Sequence, residues 1–163
     1  MTATPLAMAG AGHHFNHVSM TIQWHVVAMF LPSFFTGHLV ARFGAKQVIV
    51  AGCLLLVVSA LVAQWGIGLA GFNVALILLG LGWNFTFLPA TGLLTESYRP
   101  VDKARTQAAN EFLVFGTAAI TALLAGPLVS GLGWATLNLL LIPIALVPLV
   151  VLAWQQRVRP ASA

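Results

Sequence analysis

Few side chains in this sequence could do chemistry, and most of them interrupt long apolar runs. Asn84 follows Gly80-Leu81-Gly82-Trp83, with Pro89 five residues later. Gln23, Trp24 and His25 interrupt a second run, and Glu111 is the one acid inside any of them. A polar group in an apolar medium is costly, so these residues are the first candidates for function. Trp83 and Asn84 are candidates to line a solute path. The alternative for Asn84 is an interhelical hydrogen bond worth about 1 kcal/mol or less. His25 has a side chain that titrates near neutral pH and could carry a proton, or it could be structural. Gln23 joins it as a path candidate, and Trp24 fits an interfacial aromatic belt.

Glu111 has Gln107 and Phe115 at i−4 and i+4, so any cation must come from another segment. Arg42 is the expected partner, with Arg105 second, and a helix N-terminus would also favour the carboxylate. His13, His14 and His17 include an i, i+4 pair of the kind that takes zinc or copper. No acid or cysteine joins them, and no metal is expected. The catalytic signatures are missing: no H-E-x-x-H, no glycine two residues before Ser130, and no G-x-x-x-x-G-K-[ST]. One intramembrane acid is poor material for acid–base chemistry. The chain reads as a non-enzyme, with no cofactor implied.

The elements that hold these residues follow from composition. Of 163 residues, 60% are hydrophobic and 6% charged, and the mean hydropathy is +0.96. A soluble domain carries roughly 25% charged residues, so the surrounding medium here is lipid. The pI near 10.3 does not indicate nucleic acid, because the seven basic residues are scattered and form no patch. Cys53 is alone and permits no internal disulfide. Met1 to Gly12 lack the basic start and apolar core of a secretory signal.

A helix needs about 20 mostly apolar residues to cross the bilayer. Five segments qualify, at about 20–38, 47–65, 71–94, 107–129 and 134–154. The expected fold is an all-α membrane protein with five transmembrane helices. Residues 1–19 would be an external tail with the end of a truncated helix, and 155–163 a cytoplasmic tail. Arg42 and Lys46 fall between the first two spans; Arg99, Lys103 and Arg105 between the third and fourth; Arg157 and Arg159 after the fifth. The other connections hold no Lys or Arg, so the positive-inside rule puts the N-terminus outside and the C-terminus in the cytoplasm.

The stretch GHLVARFG at 37–44 returns as GPLVSGLG at 126–133, a shift of 89 positions. The shift lays span one on span four and span two on span five, with the matched turns on opposite membrane faces. That is the pattern of an inverted-topology repeat of three plus three helices, here with the first missing. On this reading the inside copy keeps its basic residues and the outside copy has none.

GHLVARFGAK resembles the loop signature of the major facilitator superfamily, G-x-L-a-D-R-x-G-R-K. Gly37, Leu39, Arg42, Gly44 and Lys46 occupy their motif positions, whereas Ala41 and Ala45 replace the aspartate and one basic residue. In that family the loop joins the second and third helices of each six-helix half, and the second copy is commonly degenerate. The resemblance therefore implies a C-terminal half, helices eight to twelve, of a secondary transporter in the bacterial inner membrane. Its implied partners are the bilayer, a small-molecule substrate and the missing N-terminal half. Arg42 and Lys46 could serve a cytoplasmic gate or only set orientation, and Glu111 is expected in a structural ion pair at that gate rather than as a midplane proton-coupling acid. GPLVSG also resembles the antiporter element G-P-x-x-G-G, which would instead make the chain a first half. The alternative function is a small multi-pass binding or scaffold subunit without transport of its own.

Overall fold

A computed structural model describes residues 2–158, and every regular element among them is helical. The chain opens with α1 (Ala3–Gly10), which leads through a tight turn at Gly12 into the first long helical stretch. That stretch was expected at 20–38 but runs over Phe15–Phe43. It is broken at Leu31–Pro32 into α2 (Phe15–Phe30) and α3 (Ser33–Phe43). Proline supplies no N–H, so the Ala28 carbonyl loses its helical donor and the helix yields there.

Gly44 alone separates α3 from α4 (Ala45–Val62). Its φ of +89° is open to glycine and strained for other residues. A 3-10 helical turn (Ala63–Trp65) and Gly66 then lead to α5 (Leu69–Ser97). The connection left between the expected spans 71–94 and 107–129 is shorter in the structure. α5 continues to Ser97, a 3-10 turn fills Pro100–Asp102, and α6 (Lys103–Leu139) starts at once. Local bonds hold this corner: Arg99 pairs with Asp102 at 3.2 Å, and Gln107 Nε2 donates to Tyr98 Oη at 2.7 Å.

The expected fourth and fifth spans are two helices that meet at a kink with no loop between them: Gly133 (φ 74°, ψ 165°) is non-helical within α6, and α7 (Leu141–Val158) follows. Four stretches are long and apolar enough to cross a membrane: Phe15–Phe43, Ala45–Trp65, Leu69–Ser97 and Pro100–Gln155. The last has 56 residues. A straight helix of that length would extend about 84 Å, against a hydrocarbon core of about 30 Å. It must therefore fold back. α7 accordingly packs along α4, and Gln64 Nε2 in the 3-10 turn after α4 donates to the Ala135 carbonyl just past Gly133. The basic tail expected from 155 is helical through Val158, whereas Arg159 lies outside the described residues.

The core forms where α5 is gripped by α2 on one side and α4 on the other. Glycines permit the grip. A Cβ on Gly80 would lie 2.7 Å from the His25 carbonyl oxygen, and one on Gly82 would lie 2.8 Å from the Leu56 side chain. Two residues apart on a helix is about 200°, so these glycines face opposite neighbours. Gly52 of α4 answers Gly82, since its Cβ would meet the Phe85 backbone at 2.9 Å. A second cluster joins Ala7 and Met8 of α1 to Val18 and Phe72, with Val129 and Trp134 packed on it. α6 and α7 are peripheral, burying only Ala125 and Ala145 among the described residues.

Candidate functional site

α2 and α5 run side by side in the same direction and are joined by polar contacts at three levels. At the first, Thr21 Oγ1 lies 2.6 Å from Asn73 Oδ1. At the second, His25 Nδ1–H donates to the Leu76 carbonyl at 2.7 Å, which requires the proton on that nitrogen. The third is the helix break. Asn84 Nδ2 donates to the Met29 carbonyl and to Ser33 Oγ, each at 2.7 Å, while Thr36 Oγ1 donates to Asn84 Oδ1 at 2.6 Å. One amide thus ties the last turn of α2 to the first turn of α3. Asn84 is 2% exposed, and among the described residues no buried side-chain polar atom lacks a partner.

The path candidates therefore part company. Asn84 and His25 face inward and are bonded within the chain, whereas Gln23 lies on the opposite, exposed face of α2. Trp83 is half-buried and turns toward a cavity of about 420 Å³. Met29, Cys53, Leu56, Leu79 and Ile144 are among its apolar walls. The Trp83 ring stacks on Phe87 at 4.6 Å with 12° between planes, and Phe30 meets it edge-on at 6.1 Å.

Thr21, Ser33, Thr36 and Asn73 do not stand out in the sequence as Asn84 does. Their spacing carried a signal, because Thr21, His25, Ser33 and Thr36 fall near one face of a 3.6-residue helix, as do Asn73, Gly80 and Asn84. Single threonines and serines in an apolar helix usually bond back to their own i−4 carbonyl, which hides such a stripe. Thr21 and Thr36 do that as well, to His17 and Pro32.

The motif residues lie around the α3–α4 turn. Gly44 makes the turn, Leu39 and Arg42 line a cleft of about 630 Å³ with Phe43 and Gln47, and Lys46 is exposed. Gly37 is exposed, and a Cβ there would meet nothing within 4 Å. The ion pair expected for Glu111 does not form in this chain. Glu111 is exposed, and the one ion pair among the described residues is Arg99–Asp102. The reason is packing: α6 buries only Ala125, so its first turns are not pressed against α3. Arg42 instead lies over the ring of its neighbour Phe43, 5.3 Å from its centre. His13 is taken up by the Ile67 carbonyl at 2.7 Å, and no metal-holding group of three ligands occurs among the described residues.

Comparison with known proteins agrees with this architecture. The Major Facilitator Superfamily profile matches residues 1–163. Riboflavin transporter RfnT of Brucella anthropi is 44% identical over 163 residues, all of this chain and 41% of that protein. The uncharacterized MFS-type transporter YdeG of Bacillus subtilis is 34% identical over 155 residues, 93% of this chain and 36% of its own length. Drug efflux pump JefA of Mycobacterium tuberculosis is 34% identical over 105 residues, 63% of this chain and 20% of its own. No solved structure matches significantly. The chain thus spans about two fifths or less of the length of these relatives. It is a multi-pass membrane protein and not an enzyme, and it belongs to the Major Facilitator Superfamily.

Proposed function

We propose that the chain is the C-terminal half, minus its first full helix, of a secondary carrier that moves a small riboflavin-like solute by alternating access. The observation that carries this reading is the pair of turn glycines. Gly44 (φ 89°, ψ 149°) and Gly133 (φ 74°, ψ 165°) close the two copies of the repeated octapeptide in nearly the same backbone conformation. α4, α5 and the part of α6 before Gly133 lie between them. Three crossings put the turns on opposite membrane faces, as an inverted repeat demands. Arg42 and Lys46 beside Gly44, with no charge beside Gly133, favour a cytoplasmic first turn, an external N-terminus and a cytoplasmic C-terminus. The missing Asp at position 41 favours the second half of a carrier. Gly37 and Glu111, idle within this chain, would then meet the other half.

The similarity to the riboflavin transporter, which covers the whole of this chain, supports the choice of solute. The test is growth of a riboflavin auxotroph that lacks its own importer. The carrier encoded with its upstream coding sequence should restore growth on limiting riboflavin, and the 163-residue chain alone should not. Rescue by the chain alone would overturn the half-carrier reading, and failure of the complete carrier would overturn the solute.

A further inference from the structure

We propose that the indole of Trp83, backed by Phe87 and flanked by Phe30, is the surface on which the solute lays a flat, uncharged heteroaromatic ring, an inference that rests on the carrier reading above. Trp83 stands fourteen residues from each end of α5 (Leu69–Ser97), which places it near the bilayer midplane where such carriers bind solute. Its indole and the Phe87 ring are stacked, their planes 12° apart and centroids 4.6 Å apart, so Phe87 backs one indole face and leaves the other for a solute, and Phe30 stands edge-on at 66°. None of the three is buried, and Phe30 is 58% exposed. The neighbouring cavity of about 420 Å³, which Trp83 lines, has no Lys, Arg, Asp or Glu in its lining, and its one histidine, His25, is bonded to the Leu76 carbonyl, so it favours a neutral ring over an ionic one.

The platform is held from behind. Asn84, the next residue, is fastened to Met29, Ser33 and Thr36, and Gly80 and Gly82 bring α2 and α4 into backbone contact with α5 at this level. The rings are therefore fixed before a solute arrives, and preorganised stacking loses little on binding. Aromatic stacking on a ring-bearing ligand contributes an amount that corresponds to roughly tenfold or more in affinity.

The test uses the complete carrier in liposomes with riboflavin as the probe. Trp83→Leu should raise KM about tenfold, Phe87→Leu should raise it by less, and Trp24→Leu on the outer face of α2 should leave it unchanged. Trp83→Phe keeps a ring in place and should hold KM within about threefold. Indoles quench flavin emission on stacking and phenyl rings do not. Bound riboflavin should therefore be dark in the parent carrier and brighter in Trp83→Phe at equal occupancy. This second reading decides the matter if the leucine variant fails to fold. Unchanged KM in a folded Trp83→Leu carrier, or unquenched emission in the parent, overturns the platform alone. A parent carrier that moves no flavin overturns the reading beneath it.

Discussion

Removing the Asn84 amide should destabilise this bundle more than removing any other single polar side chain in it. Asn84→Ala deletes hydrogen bonds to Met29, Ser33 and Thr36 at once, all of them 2.6–2.7 Å long. Interhelical hydrogen bonds in membranes average about 0.6 kcal/mol each, so the three together contribute about 2 kcal/mol. Part of the Thr36 bond is recoverable, because its hydroxyl already lies 2.9 Å from the Pro32 carbonyl. The Met29 carbonyl at the helix break has no such reserve from a side chain of its own. Reversible unfolding in mixed micelles, followed by tryptophan emission, measures the loss. Asn84→Leu separates bonding from packing, since it fills a similar volume without the amide and should be nearly as destabilised. A double-mutant cycle with Thr36→Val should show coupling of about 0.6 kcal/mol, while one with Thr21→Val, at the other end of the helix pair, should show almost none. If Asn84→Leu unfolds with the parent, the amide is not a clasp and the reasoning fails.

Other outcomes can be read in the same assay. Gly80→Ala puts a methyl 2.7 Å from a backbone oxygen and 2.9 Å from Ala28 Cβ, and should cost about 1–3 kcal/mol. Gly37→Ala meets open space and should be neutral or slightly stabilising in this chain; a large loss there would mean that α3 packs differently. Alanine at Gly44 or at Gly133 should cost similar amounts, about 1–2 kcal/mol each, because both have positive φ; markedly unequal costs would speak against equivalent turns. Glu111→Gln should leave the stability of this chain within about 0.5 kcal/mol, as expected for an exposed unpaired group; a larger effect would reveal a partner. In a Cys53→Ser background, Ala45→Cys and Ala135→Cys should be labelled by a membrane-impermeant thiol reagent from opposite faces of the membrane. Labelling from one face would break the repeat.

The sequence alone determined the medium, the helical architecture, the repeated turn and the family. These depend on composition and local periodicity, which survive without any knowledge of which helix touches which. Apolar length reveals a helix because lipid leaves the backbone no other partner than itself. Gly44 and Gly133 were legible as punctuation because glycine alone accepts their φ without strain.

Tertiary structure decided what the polar residues do. Asn84 stood out in sequence as a polar interruption, but only contact with α2 showed that its bonds go to both sides of a broken helix. Gln23 and His25 are two residues apart in sequence and nearly opposite in space, one exposed and one buried. Glu111 invited pairing with Arg42 because both carry charge, yet charge fixes a partner only where packing brings the elements together, and α6 is left open there. Sequence records which groups need a partner, whereas the distance to one is set by how the helices pack.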